Sequence, residues 1–332
     1  MATEQLGNVY VFDSALIPIK DLQSEHNPSL GTPGEGCYGL YGGRMKADLE
    51  ERISSYGKSG SQQFDGTILR FESLEIMRDK KRILRLGDMK YSTYQSLKSR
   101  LDSEPDHQHT LTQAVNIIVF VETVDGNLIL GHRTGAHMGD KYLPPAGFSD
   151  HKGRIAPVFF TELSVLEVKE ELGIRLSKSQ VMYAGLSAGD DSRNTTVITY
   201  ARSNFSSEEI EEHFQKLNNE LLAKGKKLEH LHLIHVPTDL TSITSFLCNN
   251  YSGVLNPIRG IVFEEGTCVQ GPEEIIGKRY SQIGNGIGGF LCLAYKIFSP
   301  EQYLILIRQI ENSGIVEEVE HVDINTKLKG DY

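Results

Sequence analysis

Cysteine is scarce in this chain: Cys37, Cys248, Cys268 and Cys292 stand far apart among 332 residues, with no CxxC pair. That spacing excludes a disulfide-stapled secreted domain and leaves free, mostly buried thiols in a reducing compartment as the expectation. No apolar stretch approaches the length of a membrane span, and the first thirty residues hold no basic segment followed by an apolar run. A cytoplasmic protein without a membrane partner is therefore expected. Positive charge is also short: 34 Lys and Arg face 44 Asp and Glu, for a formal charge of -10. The basic run from Arg78 to Arg85 is local, so nucleic acid is not expected as a partner. An anionic substrate would need a metal ion or a local basic pocket to receive it.

The 39% hydrophobic and 23% charged residues are ordinary for a soluble globular chain with a substantial core. The first sixty or so residues read as irregular and glycine-rich, with loops at residues 27–44 and around SYGKSGSQQFDG and a short helix over 46–54. GTILRFESLEIMRDKKRILRLGD predicts two strands and YSTYQSLKSRLDSE a helix. AVNIIVFVETVDGNLILGHR is the strongest hairpin signal, two apolar strands about a Val-Asp-Gly-Asn turn. Beyond it the pattern predicts a helix over 158–172 stopped by Gly173, strands at QVMYAGLSA and TTVITYARS, and a Ser-capped helix over 206–224. A strand at LEHLHLIHVP, a helix over 272–278 and a strand in GIGGFLCLAYKIF follow. These elements make an α/β chain with helices on both faces of a mixed sheet. They divide into an N-terminal subdomain (1–108), a core domain (109–300) and a C-terminal helix with an acidic tail (301–332).

The helix VFFTELSVLEVKEELGI crowds Glu167, Glu170 and Glu171 into little more than one turn. At 3.6 residues per turn Glu167 and Glu171 lie about 40° apart and Glu170 about 60° to the other side of Glu167. Val165, Val168 and Leu172 take the opposite side. Like charges at this spacing repel, so a cation is the natural occupant. Oxygen-only donors suit Mg²⁺ or Mn²⁺ better than Zn²⁺. The plain alternative is a solvated acidic face.

LEVKEELGI resembles the close of the Nudix signature, with Glu167, Val168, Glu170, Glu171, Gly173 and Ile174 in register, and LPPAG at 143–147 resembles the signature's Leu-Pro-Gly-Gly start. Leu166 stands where the signature has arginine, Val158 where it has an earlier glutamate, and the stretch from Gly147 to Leu166 is five residues longer. Within the Nudix hydrolase superfamily the chain is most similar to the UDP-glucose/UDP-galactose pyrophosphatases, whose box has the same stretched loop. FDGTILR at 64–70, LRLGDMKYSTY at 84–94 and LEHLHLIHV with Glu229 resemble further strings of that subfamily. The likeness is patchy from about Phe64 to Phe298, with extra material at 249–280.

The resemblance implies a Nudix-type α/β/α sandwich with an N-terminal α+β extension. It implies Mg²⁺-dependent hydrolysis of a nucleotide sugar, with Mn²⁺ as a second cation, to UMP and a sugar 1-phosphate. Glu167, Glu170 and Glu171 match the metal carboxylates, and Glu229 the carboxylate that orients or deprotonates water. Arg133, Arg85, Tyr91 and Gly147 are candidates for substrate contacts. ADP-ribose is the rival substrate, and a Nudix-fold module that has lost catalysis is the rival class.

Two further patterns carry less. GNGIGG at 284–289 satisfies GxGxxG, but FLCLAYKIF after it reads as a strand, so a glycine turn is expected rather than a dinucleotide site. In EHLHLIHV, His230 and His232 should share one strand face by period two, with His235 further on. Surface histidines on an edge strand are expected there, with a transition-metal site as the alternative.

Overall fold

The computed structural model describes residues 8–27, 66–103, 112–133, 141–148, 151, 155–190, 193–226, 228–248, 261–264, 267–270 and 284–323. The helices expected at 46–54 and 272–278 lie outside these residues.

Fourteen strands and six α-helices are described: β1 (Val9–Pro18), β2 (Leu22–His26), β3 (Thr67–Ile76), β4 (Arg82–Lys90), α1 (Tyr91–Ser103), β5 (Ala114–Glu122), β6 (Asn127–Arg133), β7 (Lys141–Leu143), β8 (Ala146–Gly147), α2 (Phe159–Leu172), β9 (Val181–Gly189), β10 (Thr195–Arg202), α3 (Ser207–Ala223), β11 (His230–Pro237), α4 (Leu240–Leu247), β12 (Ile261–Glu264), β13 (Thr267–Gln270), α5 (Gly284–Ile297), α6 (Pro300–Asn312) and β14 (Val319–His321). Twelve strands form one mixed sheet in the order β14-β1-β9-β10-β5-β3-β4-β2, with β6, β7, β8 and β11 branching from β5, while β12 and β13 pair apart.

Strand β5 shows why the molecule is layered. Its residues alternate between two cores: Ile118 and Phe120 join one cluster, while Val115, Ile117, Val119 and Val121 join the other. The first cluster is covered by α4, α5 and α6 through Phe246, Phe290 and Leu306, and the second by α2 and α3 through Val168, Leu172 and Phe214. The fold is thus α/β, three layers about a mixed sheet.

The structure departs from the sequence-based expectation at the opening segment and at α5. The opening segment is not irregular: VYVFDSALIP is β1, paired with β9 and β14, and LQSEH is β2, paired with β4. Residues 9–90 therefore contribute four strands to the same sheet as β5. GIGGFLCLAYKIF, expected as a strand, lies in helix α5. A run that is apolar all round fits a buried helix as well as a strand, and length alone must decide. Two of its glycines explain the docking: a Cβ on Gly288 would meet Ser187 at 2.7 Å, and one on Gly289 would meet Phe120 at 2.9 Å, so the helix lies close against the sheet. The GxGxxG pattern is this contact surface.

Other boundaries follow their local signals. Helix α3 starts at a capping box of Ser206 and Glu209, and α6 at one of Ser299 and Gln302 with Pro300 in the first turn. Helix α2 ends at Gly173, whose φ of 74° is the left-handed conformation that closes a helix at little cost only for glycine. Cys248 and Cys292 are free and buried, and burial pushes the Cys292 thiol up to about 12.

Candidate active site at the α2 carboxylates

Helix α2 lies across β5 with Phe160, Leu163, Val168 and Leu172 turned to the core. The three glutamates do not share one solvent face. Glu171 is 3% exposed, Glu167 is half-buried and Glu170 is exposed, so the carboxylate triangle straddles the core boundary. Leu166, at the position of the signature arginine, faces solvent.

The buried Glu171 carboxylate is held at both oxygens. The backbone N–H of Ala146 donates to Oε1 at 3.2 Å, and His230 Nε2 lies 2.6 Å from Oε2. Glu167 sits against Gly147: a Cβ there would lie 2.5 Å from Oε1 and 2.8 Å from Cδ. Ala146 and Gly147 form the short strand β8 on β5, so the LPPAG turn delivers both a donor for one carboxylate and space for the next. The structure thus brings Glu167, Glu171 and Gly147 together. An unpaired buried carboxylate is costly, and both oxygens of Glu171 have a partner.

His230 reaches Glu171 because of a break in strand register. In the β6–β11 pair His230 is opposite Arg133 and Leu233 opposite Gly131, so three steps along β11 match two along β6. The extra residue turns His230 onto the face of Leu233, which is the α2 face. His232 goes to the other face, where its Nε2 meets the Tyr142 hydroxyl at 2.6 Å and its ring stacks on His132. The two histidines therefore do not share a face, and both are buried, at 2% and 7% exposure. The expected surface histidines are core residues. Gly131 makes room for the His230 ring, since a Cβ at 131 would sit 2.6 Å from its Cγ. His235 is buried as well, and burial lowers its pKa to about 4 against an opposing pull from Asp125.

The remaining candidates lie as follows. Glu229 is exposed, one residue before β11. The backbone of Arg133 ends β6 opposite His230, and its side chain lies outside the described residues. Tyr91, at the start of α1, packs on Tyr94 and Phe148, and Phe148 follows Gly147 directly. Arg85 is on the exposed face of β4, where it pairs with Glu25 at 3.1 Å and Glu75 at 2.8 Å. Those ion pairs occupy its guanidinium at the surface.

A second cluster joins His26, Asp88 and His151, whose donor atoms lie within 4.8 Å of one another. Asp88 Oδ1 lies 2.6 Å from His26 Nε2 and 2.9 Å from His151 Nε2, which are hydrogen-bond separations. His26 Nδ1 accepts from the Ile155 backbone N–H at 3.1 Å. A metal-bound imidazole donates from its second nitrogen, whereas His26 Nδ1 accepts, so the contacts assign a hydrogen-bonded clasp between β2, β4 and the loop before α2.

No family model matches the chain, and no curated protein matches it. Among solved structures it is similar to a bifunctional NMN adenylyltransferase/ADP ribose pyrophosphatase from Francisella tularensis, complexed with AMP and a manganese ion. The identity is 12% over 40% of this chain and 48% of that one, with a TM-score of 0.21. The match spans about half of that protein. Among the described residues no helix is long and apolar enough to cross a membrane.

Proposed function

We propose that the chain hydrolyses the diphosphate of a nucleotide sugar, with UDP-glucose and UDP-galactose as the substrate class, in a Mg²⁺-dependent reaction that Mn²⁺ also supports. The observation that carries this reading is the pairing of Glu167 and Glu171 at the Ala146–Gly147 turn, together with the signature that α2 resembles. The donors fit the ion: two carboxylates, one half-exposed, at a backbone turn cleared by a glycine, suit a hard divalent cation. When bound, such an ion neutralises charge on the diphosphate oxygens and makes a bound water more acidic.

The side chains have the following parts. Glu167 and Glu171 hold the ion, and Glu170, at the solvent side of the same helix, adds a third carboxylate. Glu229, exposed beside β11, accepts the proton of the attacking water on its carboxylate. Tyr91, packed edge-to-face on Phe148 next to Gly147, receives the base or sugar. The products are UMP and a sugar 1-phosphate.

Product analysis on UDP-glucose, UDP-galactose and ADP-ribose, with and without Mg²⁺, tests the reading. Metal-dependent release of UMP is expected, and Glu171→Gln should lower the rate roughly 10²-fold or more, because it keeps the side chain's shape and removes a ligand charge. A folded protein that turns over none of the three substrates would be a non-catalytic module. Turnover of ADP-ribose alone would correct the substrate class.

A further inference from the structure

We propose that His230 is the positioning residue of this carboxylate site, an imidazole that fixes Glu171 for the cation. The inference rests on the function proposed above and assigns a role that the α2 signature does not contain.

Several features of the fold converge on this one side chain. Period-two alternation would have sent His230 to the face of His232, and a register break in the β6–β11 pair sends it instead to α2. The neighbouring strand carries glycine at 131, where any Cβ would collide with the ring. The result is a buried imidazole 2.6 Å from a buried carboxylate, both 2% exposed at the side chain. A carboxylate accepts only, so Nε2 carries the proton and donates to Oε2. Nδ1 is then the bare nitrogen, and it has no hydrogen-bond partner among the described residues. With Ala146 N–H on Oε1, the carboxylate plane of Glu171 is pinned from two directions.

Pinning matters because a free glutamate has several rotamers and must be ordered whenever an ion binds. Hydrogen bonds from outside the ligand shell hold a ligand in its binding orientation, and losing one typically lowers metal affinity 10- to 100-fold. His230 opens β11, so its bond couples the position of Glu171 to that of the strand.

The test is Mn²⁺ binding, followed by calorimetry or electron paramagnetic resonance, on the wild type and on His230→Phe, His230→Gln and Glu171→Gln, with melting temperatures alongside. His230→Phe fills the space without a donor, and its Mn²⁺ affinity should fall roughly 10- to 100-fold. Glutamine can place an amide N–H where Nε2 lies, so His230→Gln should bind within about threefold of wild type, a rescue that mere space filling would not give. If His230→Phe does not fold, His230→Ala carries the same expectation. A folded His230→Phe with wild-type affinity would overturn the proposal, as would His230→Gln falling as far as His230→Phe. A wild type that takes up no Mn²⁺, or binds it equally well after Glu171→Gln, would instead overturn the function beneath it.

Discussion

Adding one methyl group at Gly147 tests the site more sharply than removing a glutamate. A Cβ at this position would lie 2.5 Å from Glu167 Oε1 and 2.8 Å from both Cδ and Oε2. An ordinary contact of this kind needs about 3.4 Å, so the carboxylate must retreat by roughly 1 Å. The displaced group is the end of a half-exposed, flexible side chain, so Gly147→Ala should leave the melting temperature nearly unchanged. The same 1 Å is large on the scale of catalysis, where misplacement of that size costs on the order of 10²-fold. The assay is kcat/KM on UDP-glucose at saturating Mg²⁺, with Mn²⁺ affinity and thermal melting measured on the same preparation. A variant with wild-type turnover and metal affinity would show that Glu167 need not occupy the Gly147 cradle, and the site as drawn would fail.

Two further outcomes follow from other parts of the molecule. His235 is buried with its pKa lowered to about 4, so the folded state stays neutral while the unfolded chain takes up a proton as pH falls through about 6.5. Folding stability should therefore decline between about pH 6.5 and pH 4, by about 3 kcal/mol from this group, and His235→Leu should flatten that part of a pH series of denaturant melts. At Gly173 the left-handed φ of 74° and a Cβ that would meet the His213 carbonyl at 2.7 Å make Gly173→Ala a destabilising change, by about 1–2 kcal/mol for the backbone alone. Chemical denaturation showing no loss would mean that the end of α2 rearranges without cost.

The parts of the fold legible in the sequence are those whose signals are local. The β5–β6 hairpin, α2 with its glycine stop and α3 with its Ser206–Glu209 box all lie where turn and cap residues placed them. What the sequence concealed depends on distant partners. Strand β1 is a strand because β9 and β14 flank it, and nothing nearby in the chain reports them. Helix α5 is buried on most sides, so its apolar run lost the periodicity that would have marked it as helical.

The site divides in the same way. Glu167 and Glu171 were visible as a spacing on one helix, whereas the burial of Glu171 and its pairing with His230 were not. A register break defeats any reading by alternation, and Gly131 is the single trace that it leaves in the sequence. Arg85 was a candidate substrate contact through the likeness of LRLGDMKYSTY, and what its sequence neighbourhood did not report is that Glu25 and Glu75 come from strands β2 and β3 on either side of it.

The sheet order also bears on how the chain folds. The β5–β6 hairpin closes locally, but the Asn8 side chain donates to Glu320 across 312 positions, and β1 pairs with β9 on one edge and β14 on the other, both far along the chain. Pairings of such long range make folding slow, because the entropy of closing each loop is lost before any contact compensates for it. The flank of β9 stays bare through that interval. A second nascent chain presenting β1 could add to it in place of the chain's own strand, so dilute refolding should favour the monomer over strand-exchanged aggregates.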